Sequence, residues 1–261
     1  MIDRRDAVPL TEAQSGLWYA QRLDPANPIF NTGQYLDMRG ALDVAAFRAA
    51  VDQASQEAEA LSLRIVQGPD GPVQYSDPAL SPRLRLIDLS GEADPDAAAL
   101  AAIRRDMATP VDPAVDPLAA QHLYRLGDGH HIWAQRVHHL ATDGYGMVLL
   151  TARIAELYGT GAGRPFAPLA GVLAEDADYR RSPQRAADAA WWRAALDGMA
   201  DVVGMATGRA VSAHGFHRHE RPLAEETRAA LMRRAKAAGQ GWPDVLTALV
   251  AGYCRRFTGT A

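Results

Sequence analysis

Ile132-Trp133-Ala134-Gln135-Arg136-Val137 sets large apolar side chains among small or polar ones and ends on a β-branched residue, which reads as a strand. Met147-Val148-Leu149-Leu150, Ile154, Leu157 and Tyr158 then recur at helical spacing, and Gly159 closes the run. Between the two lies His138-His139-Leu140-Ala141-Thr142-Asp143-Gly144. A strand that hands over to a helix across so short a stretch needs a tight turn. Side chains in such a turn are fixed by the strand and left accessible by the loop.

The residue types in that turn suit proton-transfer chemistry. An imidazole, with an ordinary pKa of about 6.5, can take a proton from an attacking amine near neutrality or hold the amine by a hydrogen bond. Asp143 can accept from a guanidinium or from backbone N–H groups and lock the turn, and Gly144 lets the backbone approach a substrate closely. Adjacent strand residues point to opposite faces, so one histidine is expected to face a cavity and the other the interior. Two neighbouring histidines also occur as a plain core or surface pair, so the rest of the chain has to decide between the readings.

At 261 residues, with 48% hydrophobic and 22% charged residues, the chain can bury a full core as one large domain or two smaller ones. A net charge of −4 with a single lysine, Lys236, leaves no basic footprint for nucleic acid. The single cysteine, Cys254, excludes an internal disulfide and a cysteine-based metal cluster, and is expected to be a buried apolar thiol. The N-terminal residues carry charges with no apolar stretch behind them, and nowhere do roughly 18 apolar residues run together. The chain reads as soluble and cytoplasmic.

Along the chain, strand and helix patterns are interleaved. Thr11 is placed to cap a short helix through Ala20, Thr32 to Arg39 reads as a strand, and Asp43 caps a helix through Val51. Residues 60–66 and 72–75 read as strands flanking the turn Gly68-Pro69-Asp70-Gly71. Leu84 to Leu89 is a further strand, and Asp94-Pro95 opens an alanine-rich helix to about Ala108. Ala119 to Leu126 is expected to form a hairpin with the strand before the histidines, turning at Gly127-Asp128-Gly129, with His130 and His131 exposed beside the turn. Residues 159–168 read as a linker, and Ser182-Pro183 starts a helix whose Trp191-Trp192 pair is expected to pack rather than bind. Residues 214–219 resemble an edge strand with three histidines but no evident remote ligand, so a metal site is not expected there. Helices are expected over 223–239 and 243–258.

The motif His138-His139-x-x-x-Asp143-Gly144 resembles the signature of condensation domains of non-ribosomal peptide synthetases, a branch of the chloramphenicol-acetyltransferase-like acyltransferases. Thr11, Ala13, Gln14, Leu17 and Trp18 match that family's first motif, residues 59–65 its second, and Asp176-Ala177-Asp178-Tyr179 its weak fourth. Trp133 and Gln135-Arg136 are similar to the opening condensation domain of enterobactin-synthase-like enzymes. One departure stands out. The second motif usually carries an arginine where Ser62 stands, and that arginine is the one expected to pair with the motif aspartate. Arg64, on the same strand face, is the preferred substitute partner of Asp143, with Arg136 the alternative.

The resemblance implies an α/β fold of two lobes, each a mixed sheet covered by helices. Residues 1–175 would form the N-terminal lobe, and 176–261 a linker helix and the incomplete start of a similar second lobe. It implies an acyltransferase that forms an amide between a donor acyl thioester and an aminoacyl acceptor. Both would be carried on the phosphopantetheine of carrier proteins, the partners along with adjoining synthetase domains, with no cofactor or metal bound to the chain itself. By the same resemblance His139 is catalytic, His138 holds the loop, Asp143 is architectural, and Gly144 offers a backbone N–H near the thioester. A chain cut short in its second lobe is expected to be weak or inactive alone. Two rival readings are a coenzyme A-dependent acyltransferase of the same superfamily and a non-catalytic module that docks carrier proteins.

Overall fold

The computed structural model describes residues 7–199, 205, 213–215 and 219–259. They fall into two compact units. One runs to Ala186 and takes back residues 213–215, and the other holds the remaining described residues from Ala187 onward.

The first unit is built on a four-stranded mixed sheet. β2 (Asn31–Arg39), β7 (His130–His138), β6 (Ala119–Gly127) and β5 (Leu84–Asp88) lie side by side in that order. β7 pairs antiparallel with both neighbours, and β5 runs parallel to β6. A second sheet of three antiparallel strands orders β1 (Val8–Pro9), β4 (Gly71–Ser76) and β3 (Leu63–Gly68).

Strand alternation sorts the side chains of β7 onto two faces. Trp133 and Val137 point to one face, where α2 (Val44–Glu57) and α4 (Gly144–Thr160) lay down Phe47, Val51, Ala54, Leu150 and Ile154. Phe47 meets Trp133 edge to face at 5.2 Å, and the indole N–H donates to Gln121 Oε1 at 3.0 Å, so the buried Trp keeps its polar atom satisfied. Ile132 and Ala134 point to the other face, against Ala99 of α3 (Pro95–Met107). A third apolar cluster ties Trp18 of α1 (Glu12–Leu23) to Leu63 and Ile65 of β3 and to Leu140, just beyond the end of β7.

Helix starts follow the sequence closely, because short polar side chains satisfy the first free N–H groups. Thr11 and Gln14 form a capping box on α1, and Asp43, Asp94 and Asp143 each accept an N–H three residues on. α4 ends at Gly161 in the left-handed conformation rather than at Gly159, which lies inside the helix. Arg153 on α4 forks onto Glu57 at the end of α2 at 2.8 and 3.0 Å and also holds Glu156 at 2.7 Å.

Several sequence expectations give way. Residues 59–62 form a 3₁₀ turn, so the strand starts at Leu63. His130 and His131 are the first residues of β7 and are not exposed. His130 meets Asp37 at 2.9 Å, and His131 is 6% exposed, because the hairpin is tighter than the glycines suggested and the strand takes both residues in.

Past α5 (Leu169–Arg181), α6 (Pro183–Leu196) runs on into the second unit. The described parts of that unit include α7 (Glu225–Ala237) packed on α8 (Trp242–Thr258). Trp191 and Trp192 lie edge to face at 4.9 Å but are 62% and 58% exposed, so the pair is not packed into a core among the described residues. Cys254 is half-buried beside Met205 rather than enclosed, because most of the apolar side chains of α8 are themselves exposed. Of residues 214–219, the stretch 216–218 lies outside the described residues, and His214 pairs with Asp24 at 2.8 Å. Among the described residues no helix is long and apolar enough to cross a membrane.

Candidate functional site

The site forms where β7 runs out. His138 is its last residue and His139 the first residue of the turn. The turn is held by three backbone hydrogen bonds. His138 N–H donates to Leu118 O at 2.7 Å, His139 N–H to Phe30 O at 2.8 Å, and Ala141 N–H to His138 O at 2.9 Å.

The two histidines divide as strand alternation requires. His138 is 1% exposed. Its Nδ1 accepts the Leu140 N–H at 3.2 Å, and its Nε2 lies 3.2 Å from Gln21 Oε1. A backbone N–H can only donate, so Nδ1 is bare and the neutral ring carries its proton on Nε2, which donates to Gln21. Burial pushes the ring pKa down to about 4, with the neighbouring His139 and Arg136 charges adding to the effect. His138 is therefore a neutral internal strut at physiological pH. His139 is half-buried, and among the described residues its side chain makes no hydrogen bond. It is the imidazole of the pair left with its ring nitrogens available.

Asp143 caps α4. Its carboxylate accepts Gly146 N–H at 2.8 Å and its carbonyl accepts Met147 N–H at 3.1 Å. Gly144 is the first helical residue, so its N–H has no partner within the helix. A methyl added at Gly144 would meet open space, whereas one at Gly146 would sit 2.0 Å from Thr142 Oγ1. The packing requirement for glycine thus falls on Gly146, two residues past the one singled out in the sequence.

Neither arginine pairs with Asp143, which corrects the expectation for both. Arg64 sits in the separate three-stranded sheet and donates to Ala114 O at 2.7 Å. Arg136 is turned by strand alternation toward α3, where its Nε meets Asp106 Oδ1 at 3.0 Å. The carboxylate of Asp143 is instead satisfied by backbone N–H. Ser62, at the position where the resembling family carries arginine, is 4% exposed and donates to Glu59 O at 2.9 Å while meeting Ser76 Oγ at 3.0 Å.

Gln21 escaped the sequence reading, and Gln14 stands there in a motif without a role in the turn. Gln21 and Gln14 lie on one face of α1, two helical turns apart, and both reach the turn. Gln21 is 4% exposed, which the sequence does not signal. Alongside the loop is an apolar recess of about 330 Å³, lined by Leu61, Ala141, Thr142, Leu150, Phe166 and Leu169. Among the described residues no three His, Cys, Asp or Glu side chains are placed to hold a metal ion.

Known proteins similar to this chain point to one family. The family described as "Condensation domain" matches residues 4–261. A dimodular nonribosomal peptide synthase of Bacillus subtilis is 37% identical over 270 residues, covering 100% of this chain and 11% of that protein. Component F of enterobactin synthase from Escherichia coli is 32% identical over 195 residues, 71% of this chain and 15% of its own length. The starter condensation domain of rhizomide synthetase, in a mutant solved with C8-CoA and Leu-SNAC, superposes with a TM-score of 0.73 at 33% identity. That match covers 79% of this chain and 49% of the solved one. The chain therefore spans about half of that structure and a small part of the curated relatives.

Proposed function

The chain belongs to the condensation-domain family of non-ribosomal peptide synthetases, and from that premise we propose that it supplies the histidine-bearing lobe for amide formation between a donor acyl thioester and an acceptor aminoacyl thioester. The acceptor nitrogen attacks the donor carbonyl, a C–N bond forms, the C–S bond breaks and the thiol leaves. His139 orients the amine and takes its proton, which then passes to the departing thiolate. His138 holds the turn, Asp143 fixes the start of α4, and the free N–H of Gly144 faces the reacting thioester.

The observation that carries this reading is the contrast between the two rings: His138 is spent on internal hydrogen bonds while His139, on a locked backbone, is not. Donor and acceptor arrive on the phosphopantetheine of carrier proteins docked to the synthetase in the cytoplasm. Residues 1–175 form the catalytic lobe and 176–261 lead into the second. A coenzyme A thioester is the second reading for the donor, favoured by the relative solved with C8-CoA and Leu-SNAC.

The test is mass-spectrometric detection of amide between donor and acceptor thioesters, with carrier-bound and coenzyme A donors in separate arms. Both this chain and the full synthetase that carries it are assayed, each with and without His139→Ala. Amide that disappears with His139→Ala supports the assignment. Carrier binding without any amide from the full synthetase makes the chain a docking module instead.

A further inference from the structure

The polar atoms of Leu140 are both held by side chains. Its N–H is taken by His138 Nδ1 at 3.2 Å, and its carbonyl by Gln14 Nε2 at 3.1 Å. Each of these partners is fixed in turn from α1. Gln21 Nε2 donates to the carbonyls of Asp24, Pro25 and Asn27 at 3.2, 3.3 and 3.1 Å. Carbonyls only accept, so the amide is oriented with Oε1 toward His138, which must then present an N–H from Nε2. That leaves Nδ1 bare for Leu140. The orientation deduced from the Gln21 end and the one deduced from the Leu140 end are the same. On the other side Gln14 Oε1 is pinned by Thr11 N–H at 3.0 Å and by Gln74 Nε2 at 2.8 Å, and Gln74 is fully buried.

Resting on the function proposed above, we infer that Gln14 and Gln21 are positioning residues: helix α1 grips the two peptide groups flanking Leu140 through them, the 140–141 carbonyl directly and the 139–140 N–H through His138, and thereby aims His139. Neither peptide next to the reacting imidazole can rotate without breaking one of these bonds. Near-attack geometry is sensitive at this scale, since a displacement of about 1 Å can cost about a hundredfold in rate.

Gln14→Glu separates this role from helix capping. A carboxylate still accepts the Thr11 N–H, as glutamate does in an ordinary capping box, and still accepts from Gln74, but cannot donate to Leu140 O or to Gln74 Oε1. In the full synthetase this variant is expected to lose about 10- to 100-fold in kcat with KM changed less than about threefold. Gln21→Leu is expected to do the same and to release the His138 tautomer. Two-bond ¹H–¹⁵N spectra of this chain read that tautomer directly and need no catalysis, so they stand apart from failure of the amide assay itself. They also stand if Gln21→Leu does not fold.

The charged groups that act on His138 are His139 after it and Arg136 on its strand. Spectra are therefore taken at pH 7.5, well above the titration of the ring. A proton on Nε2 in the wild type, together with a kcat loss of at least tenfold in a folded Gln14→Glu variant, supports the clamp. A proton on Nδ1 overturns it, as does a smaller kcat loss in that variant or a loss that falls on KM.

Discussion

Lowering the pH should destabilise the fold through His138. The ring has a pKa of about 4 in the folded chain against 6.5 for an ordinary histidine, because protonation would charge a 1%-exposed group and place a proton on the nitrogen that accepts from Leu140. Between those values the unfolded chain binds more protons than the folded one, so stability falls as pH drops through this window and the loss is complete below about 4. The full difference is about 3 kcal/mol, of which about 2 kcal/mol is already gone at pH 5. His122 and His131 are also pushed down by burial and titrate in the same direction, so the His138 contribution has to be isolated. His138→Asn does this, since its amide oxygen can replace Nδ1 as acceptor without titrating. The assay is urea unfolding from pH 7.5 to 5, read from Trp18 and Trp133 fluorescence with Trp191, Trp192 and Trp242 replaced by Phe. The stability advantage of wild type over His138→Asn should shrink by about 2 kcal/mol across that range. An advantage that stays constant within about 0.5 kcal/mol would refute the neutral-strut reading of His138.

Other expectations follow from the same geometry. Gly→Ala within a helix ordinarily gains up to about 1 kcal/mol, but Gly146→Ala should destabilise, because its Cβ would sit 2.0 Å from Thr142 Oγ1. Adding Thr142→Ala leaves contacts of 3.4 Å and longer and should restore the loss in thermal unfolding. Arg153→Met should lower stability in urea unfolding, since it takes from Glu57 the guanidinium that holds its carboxyl below the usual range. Asp143→Ala should cost about 1 kcal/mol while Asp143→Asn costs a few tenths, and an equal loss in both would show that a charge partner of Asp143 exists after all.

The parts of this fold that local chemistry determines were legible in the sequence. Thr11, Asp43 and Asp94 cap helices because their side chains reach N–H groups three residues away, a relation that needs no knowledge of the rest of the chain. The strand of Ile132 to Val137 and its hairpin with Ala119 to Leu126 are local in the same sense. What stayed hidden is settled by neighbours distant in sequence. The burial of His131, the exposure of Trp191 and Trp192, and the choice of Asp106 over Asp143 by Arg136 each depend on which element packs where. The family resemblance named the histidine turn but pointed its aspartate at an arginine that this sequence lacks, and the backbone N–H of Gly146 takes that place.

The use of two adjacent histidines follows from the same division between local and distant constraints. A reacting imidazole has to keep its nitrogens free, so it cannot also anchor its own loop. The residue before it, pointing inward by strand alternation, can do so only if it stays uncharged and presents an acceptor to the next peptide. Neutral imidazole meets both demands, because burial removes the charge and a donor-accepting partner such as Gln21 selects the tautomer. A lysine at position 138 could not accept the Leu140 N–H, and an aspartate there would need a buried cation to balance it. The His-His pair is thus one imidazole with its nitrogens free, set on a strut that burial keeps neutral, and the strut is only as firm as Gln21, which orients it.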